Sequence, residues 1–492
     1  MTRTLAPLLI DFYKADHRRQ YPVGTTEVYS NFTPRSMKLA PVGCSDGVVV
    51  FGIQAFAIDF LINYWNDNFF NLSKEKVMRA VKRRFDTSLG PDSVPLEHIA
   101  ALHDLGYLPI ELKALPEGSL CPVKVPLLTI KNTLPEFFWL TNSLESVISN
   151  LLWKPIVAAT IARAYLRRFE SFAKLTGFDL ELVKFQGHDF SFRGLSGVED
   201  AEKVGAAHLL SFVGTDTVPA IDFLEFFYKA DAEKEMIGVS VPATEHSVMC
   251  MGSKEGELAT FERLITQLYT KGFVSIVSDT WDFWKVITEY LPALKDKIMA
   301  RDGRVVIRPD SGDPVKIICG DPAAPKDSPE YKGAIECMWE TFGGTVTEKG
   351  FKLLDTHIGL IYGDSITLQR QIEILEGLAH KGFCSGNVAL GVGAFTYQYV
   401  TRDTFGLAMK ATSGVINGQR ISIYKDPKTD SGVKKSARGL LKVTKEAGKY
   451  CLTDQVSEAE EECGHLDTVF KDGKLIKMQS LKEIRNRLRE TI

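Results

Sequence analysis

The 492-residue sequence has no CxxC pair, no HExxH and no other paired metal-ligand spacing, and its eight cysteines are scattered. That excludes a disulfide frame and a dedicated zinc site and leaves reduced thiols in a cytosol as the expectation. The chain also lacks a surplus of one charge. Lys and Arg number 59 against 62 Asp and Glu, for a formal net charge of -3, so no general nucleic-acid or membrane-surface role has electrostatic support. A long uncharged apolar run is missing too: the most apolar stretch, residues 48–65, contains Gln54, Asp59 and Asn63. Amide and charged groups are costly inside a bilayer, so this stretch reads as a buried amphipathic helix. The opening residues do not follow the basic, apolar, small-residue order of a signal peptide. No Walker A sequence, no GxGxxG at a strand-to-helix step and no heptad repeat occurs. What is present is 45% hydrophobic and 25% charged residues, the balance of a globular cytoplasmic protein.

Three zones differ in pattern. The first, to about residue 150, mixes helices and strands. Helical spacing covers 71–84 with Asn71 or Ser73 as cap. Residues 107–132 read as β structure around a Pro116-Glu117-Gly118 turn. A long helical stretch follows Pro135 through residue 175, with a break expected near Pro155. The last zone, from about 403, returns to strands, with a hairpin signal at Lys471-Asp472-Gly473-Lys474 and a capping box at Ser480/Glu483. Its acidic run Glu460-Glu461-Glu462 is expected to be a solvated face.

The middle zone, about 180–402, carries a rhythm. Apolar strand-like runs at 182–185, 209–213, 237–241, 273–277, 305–307, 358–361 and 388–390 each end in a polar or glycine tip. One residue per tip (Asp189, Asp216, His246, Asp279, Asp310, Asp364, Gly393) gives gaps of 27, 30, 33, 31, 54 and 29. A strand and its return helix need about 30 residues, so these are βα units, with a loop insertion at 320–325 in the long gap. Parallel strands end on one face, and the tips converge there. The expected fold is an α/β protein with an incomplete (β/α) barrel at 180–402. Residues 1–179 and 403–492 are expected to form a second, mixed α/β domain.

The tips suggest anion chemistry. Residues 305–312, VVIRPDSG, deliver Arg308, whose planar fork matches phosphate oxygens, beside Asp310 and two exposed backbone donors; a structural Arg–Asp pair at the rim is the competing reading. Gly363-Asp364-Ser365 and Gly391-Val392-Gly393 are turns where backbone approaches a phosphate closely. His246 follows Glu245 at its tip, which suits proton transfer or phosphoryl acceptance, although a single His is more often structural. Phe190, Phe192 and Arg193 offer rings and a cation, for an aromatic anionic ligand or for packing under the rim.

Taken together, Asp11-Phe12-Tyr13-Lys14, His188-Asp189-Phe190-Ser191-Phe192-Arg193-Gly194, Gly214-Thr215-Asp216-Thr217, residues 240–247, Val277-Ser278-Asp279, Ile307 to Gly312, Gly363-Asp364 and Thr401-Arg402-Asp403 resemble the nicotinamide phosphoribosyltransferases, a type II phosphoribosyltransferase family. The matches stay in order to residue 474, and the sequence has no Asp-Asp pair of the type I motif. The resemblance implies transfer of phosphoribose from phosphoribosyl pyrophosphate to nicotinamide, with Mg²⁺ and with ATP as coupling substrate. It implies a homodimer with shared active sites. Phe190 and Tyr13 of the partner subunit would stack the ring, and Asp216 would accept the carboxamide. Arg193 and Arg308 would hold phosphates, Asp310 the ribose, and Gly363, Asp364, Gly393, Ala394 and Arg402 the 5′-phosphate. His246 would be phosphorylated with support from Asp279. Arg35, Lys410 and Lys425 would reach phosphates across the dimer, with Asp11, Ser240 and Ser275 completing the substrate set. The glycine turn at 391–395 is shorter than in many members.

The nearest rival is a nicotinate phosphoribosyltransferase, against which the Asp216 carboxylate counts, because it would repel the acid. A sugar-phosphate aldolase or isomerase would need a lysine or base at a tip, and no tip carries a lysine. A non-catalytic binding protein would have no use for the set Asp216, His246, Arg308 and Asp310.

Overall fold

The computed structural model describes residues 3–425 and 437–492. Packing divides the chain into two units. One comprises Met1–Thr160, Phe223–Ala230 and Thr401–Ile492; the other comprises Ile161–Asp222 and Asp231–Val400. No described helix is long and apolar enough to cross a membrane, and none of the eight cysteines is in a disulfide.

The first unit is built on a seven-stranded antiparallel sheet that draws on both ends of the chain. Its order is Gln419–Ser422, Ala408–Ile416, Thr25–Thr33, Leu128–Asn132, Ile110–Ala114, Asp467–Lys471, Lys474–Leu475. The last two form the expected hairpin, with Asp472 at φ 47° and Gly473 at φ 77°, the left-handed pair that a two-residue turn needs. Lys74–Leu89 is a helix that buries Val77, Val81 and Phe85 at four-residue spacing. The C-terminal helix Leu481–Arg489 begins at a Ser480/Glu483 capping box.

Two expectations fail in this region. The helix Leu140–Thr176 runs through Pro155 without a break. Its flanks Leu152, Ile156 and Val157 are fully buried, and Gly52, at φ 93°, lies so close to the proline ring that a Cβ there would be 2.9 Å from Pro155 Cγ. Tertiary packing on both sides outweighs the lost backbone bond. The acidic run is a solvated face only in part: Glu460 and Glu462 are exposed, but Glu461 is buried. Lys113 Nζ lies 2.8 Å from both Glu461 and Glu462, so these two neutralise a buried lysine.

The second unit is built on a curled, six-stranded parallel sheet. Its strand order is Gly214–Thr215, Gly187–Asp189, Val388–Val392, Ile358–Tyr362, Val305–Arg308, Val274–Val277. Val305 and Ile307 are fully buried, while Val306 and Arg308 face the other side of the sheet. Helices such as Val198–His208, Leu291–Met299 and Leu368–His380 return the chain between strands.

Three of the seven expected strands sit elsewhere. Residues 182–185 belong to a 3₁₀ helix, Leu180–Phe185, which leaves Leu182 and Phe185 exposed; the strand is Gly187–Asp189. Residues 209–213 are the turn out of a helix, and only Gly214–Thr215 pairs. Short apolar runs have no period to distinguish these cases. Residues 237–241 form no regular strand. Val239 N donates to Val213 O (2.7 Å) and Val239 O accepts from Thr215 N (3.0 Å) on one edge of the sheet. Thr244 N donates to Ser275 O (3.0 Å) and Ser275 N to Pro242 O (2.8 Å) on the other. The segment thus spans from edge to edge by single bridges, and Pro242 has no N–H to extend the ladder.

Candidate active site

Because the six strands are parallel, their C-terminal tips gather on one rim. At the edge formed by Gly187–Asp189 and Gly214–Thr215, Asp216 Oδ1 accepts from His188 Nε2 (2.9 Å) and from Ser240 Oγ (2.6 Å). Burial works to raise the Asp216 carboxyl, but His188, Ser240 and the charge of Arg308 outweigh it and hold the group below its ordinary value. Asp216 is therefore an anion, with one oxygen engaged and its side chain half exposed.

Phe190 is joined to this carboxylate through His188. Its N–H donates to Val392 O (3.1 Å), and its ring sits 4.8 Å from the His188 ring. It rests on two glycines. A Cβ on Gly391 would meet the Phe190 ring at 2.2 Å and one on Gly363 at 2.9 Å. The glycines of the two phosphate-like turns thus also make room for the aromatic platform. Arg193 is exposed one turn beyond, in Phe192–Gly194. Ala394 packs on Gly194, and Gly393 faces open space.

On the other side of the rim Asp279 organises the Arg308-to-Gly312 tip. Its Oδ2 accepts from Asp310 N (2.9 Å) and Ser311 Oγ (2.6 Å). Its Oδ1 is buried without a hydrogen-bond partner and lies 3.8 Å from His246 Nε2. The other His246 nitrogen, Nδ1, is 3.2 Å from Thr280 Oγ1. Burial raises the Asp310 carboxyl, and the charges of Asp279 and Asp364 add to this against Arg308 and His246. Arg308 Nε is likewise buried and unbonded. Ser275 lies lower in its strand, in register with Val306, with a buried and unbonded hydroxyl. These orphan donors and acceptors on adjacent strands suit a polar ligand.

The second unit therefore brings together Phe190, Arg193, Asp216, Ser240, Ser275, His246, Asp279, Arg308, Asp310, Gly363, Asp364, Gly393 and Ala394. Asp11, Tyr13, Arg35, Arg402, Lys410 and Lys425 belong to the first unit. There Tyr13 is 64% exposed, with the His17 ring 5.3 Å from its own. Asp11 accepts from Ser146 Oγ, and Lys14 Nζ pairs with Glu145 at 2.9 Å. Burial lowers the Lys410 ammonium, and Arg35, Lys425 and Arg402 lower it further against Glu145. Burial and Arg402 act the same way on Arg35, opposed by Asp403. Four cations thus crowd one patch of this unit, as an anion-binding surface requires.

Sequence reasoning placed His188 at a tip like that of His246 and gave Ser311 a backbone donor for an anion, but it did not foresee the bonds of their side chains to Asp216 and Asp279. It missed Thr280, whose adjacency to Asp279 was the available signal. Among the described residues, no group of three His, Cys, Asp or Glu side chains could hold a metal ion.

Comparison with known proteins agrees with this geometry. Residues 185–474 match the model of the nicotinate phosphoribosyltransferase (NAPRTase) family, and residues 6–111 match the nicotinamide phosphoribosyltransferase N-terminal domain. A nicotinamide phosphoribosyltransferase of Acinetobacter baylyi is 56% identical, covering 98% of this chain and 97% of its own. One from Xanthomonas campestris is 32% identical over 96% of both chains. Among solved structures, a nicotinate-nucleotide pyrophosphorylase of Pyrococcus furiosus superposes with TM-score 0.58 at 14% identity, covering 99% of this chain and 95% of its own. The human nicotinic acid phosphoribosyltransferase gives 0.51 at 16%, covering 98% and 93%. At those identities the structures speak for the fold; the sequence matches show that the chain belongs to the NAPRTase family of phosphoribosyltransferases and carries the N-terminal domain of the nicotinamide phosphoribosyltransferases.

Proposed function

We propose that this enzyme transfers phosphoribose from phosphoribosyl pyrophosphate to nicotinamide, releasing nicotinamide mononucleotide and pyrophosphate, in cytoplasmic NAD salvage. The observation that carries the choice of acceptor is the ionised Asp216, with Oδ1 engaged by Ser240 and by His188, whose ring neighbours Phe190. A carboxylate there accepts from a carboxamide N–H and repels a carboxylate. In the reaction, the pyridine nitrogen forms a bond to ribose C1 as the C1–O bond to pyrophosphate breaks. Positive charge grows on the sugar and negative charge on the leaving group.

Arg308, whose buried Nε lacks a partner, and Arg193 would meet the leaving charge. Removing one such preorganised group typically costs about 10²–10³ in rate. Asp310, with its carboxyl raised, would engage the ribose hydroxyls. Gly363, Asp364, Gly393 and Ala394 would receive the 5′-phosphate, with open space at Gly393 for close approach. Mg²⁺ fits this set as a passenger on the pyrophosphate, since that ion keeps waters and phosphates and needs only one or two carboxylates. Asp310 would supply one, and the ion would neutralise charge on the phosphate oxygens.

The cationic patch of Arg35, Arg402, Lys410 and Lys425, with Asp11 and the exposed Tyr13, supports a homodimer in which Tyr13 of the partner subunit covers the second face of the ring. His246 is read as the acceptor of a phosphoryl group from ATP. The unbonded Asp279 Oδ1 at 3.8 Å is placed to bind the imidazole when it carries a proton or phosphate.

The test is pyrophosphate release from phosphoribosyl pyrophosphate and Mg²⁺, with nicotinamide, nicotinate or quinolinate as acceptor, with and without ATP. Release with nicotinamide, stimulated by ATP, supports the reading. Preference for nicotinate or quinolinate would overturn it.

A further inference from the structure

We propose that Asp189, a buried residue that touches no substrate in the proposed reaction, is a positioning residue that sets the spacing between the ring platform Phe190 and the selector Asp216. The inference rests on the function proposed above.

Asp189 ends its strand fully buried. Its Oδ1 accepts from Ser191 N (2.9 Å) and Ser191 Oγ (2.6 Å). Its Oδ2 accepts from Thr215 Oγ1 (3.1 Å), and its main-chain oxygen accepts from Asp216 N (3.0 Å). Thr215 Oγ1 in turn accepts from Thr217 N (2.9 Å). The donors therefore come from two tips: one holds the residue after Phe190, the other holds both neighbours of Asp216. One carboxylate joins the platform to the selector from beneath. Its surroundings leave it little room to shift, because a Cβ on Gly205 would stand 3.3 Å from Asp189 Oδ2 and 2.6 Å from the Ala220 methyl. Behind it, the buried His208 ring bonds Tyr397 Oη (2.8 Å) and stacks on Phe212 at 5.0 Å.

An aromatic ring that must lie on Phe190 and also place its carboxamide on Asp216 tolerates little change in that spacing. Misplacement of about 1 Å is enough to cost on the order of 10²-fold in rate. Pyrophosphate, by contrast, is read chiefly at the Arg308–Asp310 tip, which Asp189 does not touch; Arg193, exposed and two residues past Ser191, is its one contact on the clamped turn. Loosening the clamp should therefore weaken the ring acceptor more than phosphoribosyl pyrophosphate.

The experiment measures KM for nicotinamide and for phosphoribosyl pyrophosphate separately in the wild type, Asp189→Asn and Asp189→Ala, with thermal melting alongside. Asp189→Asn keeps one acceptor oxygen for Ser191. The control is Ile374→Val, a fully buried core change in the same unit. Asp189→Ala is expected to raise KM for nicotinamide about 10-fold or more, and to narrow the preference for nicotinamide over nicotinate, while KM for phosphoribosyl pyrophosphate changes by less than about 2-fold. Asp189→Asn should fall between, and Ile374→Val should lower the melting temperature without splitting the two constants. Equal changes in both KM values, or activity that merely tracks the folded fraction in both Asp189 variants, would overturn the proposal. Should the wild type use another ring acceptor, the proposed activity fails, and the clamp is still judged by that acceptor's KM against that of phosphoribosyl pyrophosphate.

Discussion

Replacing Asp216 with Asn changes one charge and almost no volume, so its effect isolates the electrostatic part of acceptor choice. Asp216 makes a 2.9 Å bond from His188 and a 2.6 Å bond from Ser240, both to the same oxygen. The other oxygen is left for the ring substituent. A hydrogen bond to a charged group is worth about 1.5–3 kcal/mol, and the lower end applies because the side chain is 47% exposed. Nicotinamide should therefore lose about 10-fold in kcat/KM, or about 1.4 kcal/mol. Two like charges about 4 Å apart repel by about 4 kcal/mol at an effective dielectric of 20. Solvent at this half-open position reduces that to about 1–2 kcal/mol, so nicotinate should gain about 10-fold. The preference for the amide should narrow by about 100-fold in total. The assay is steady-state kcat/KM for both acceptors at saturating phosphoribosyl pyrophosphate. A ratio that stays unchanged, or an equal loss for both acceptors, would refute the charge argument and move selection elsewhere.

Other expectations follow from the same structure. Burial pushes the Glu117 carboxyl up to about 7 against the pull of Gln54 N–H, Gly52 N–H and Tyr228. The folded state thus holds a proton that the unfolded chain releases near pH 4.3. This stability contribution is full below that pH, is lost as pH rises to about 7, and amounts to about 4 kcal/mol at most. Glu117→Gln should therefore flatten the fall in melting temperature between pH 5 and 7; parallel curves for variant and wild type would count against it. Gly391→Ala should push the Phe190 ring aside, since a Cβ would lie 2.2 Å from it, and should raise KM for the ring acceptor about 10-fold or more; an unchanged KM would contradict the platform assignment. His246→Ala should keep basal transfer and lose ATP stimulation in the pyrophosphate-release assay, and intact stimulation would remove the phosphoryl-acceptor role.

The barrel rhythm was legible because it rests on spacing: Asp279, Asp310, Asp364 and Gly393 all sit at the ends of regular strands, as their period implies. Where the sequence misled, local pattern was overridden. Residues 182–185 are as apolar as a strand, yet Leu182 and Phe185 point to solvent. Pro155 breaks nothing because its helix is packed on both sides. Glu461 looked like surface charge until its partner Lys113, far away in sequence, was brought beside it. The same limit applies at the rim. Asp216 could be picked as a tip residue, but its engagement by His188 and Ser240 joins three separate tips and has no sequence period. The seating of Phe190 on Gly391 and Gly363 is equally nonlocal. The cations of the first unit are spread from Arg35 to Lys425, and the ordering of that patch depends on the Asn31↔Lys410 strand pairing.

The central claim, that one rim reads an amide-bearing ring between two anion sites, is tested most directly by the crystal structure of the protein with nicotinamide mononucleotide. The account predicts the pyridine ring on Phe190, its carboxamide nitrogen within hydrogen-bond distance of Asp216, and the 5′-phosphate at Gly363, Asp364 and Gly393. A ring bound away from Phe190, or a phosphate seated at Arg308 with the carboxamide turned from Asp216, would contradict it.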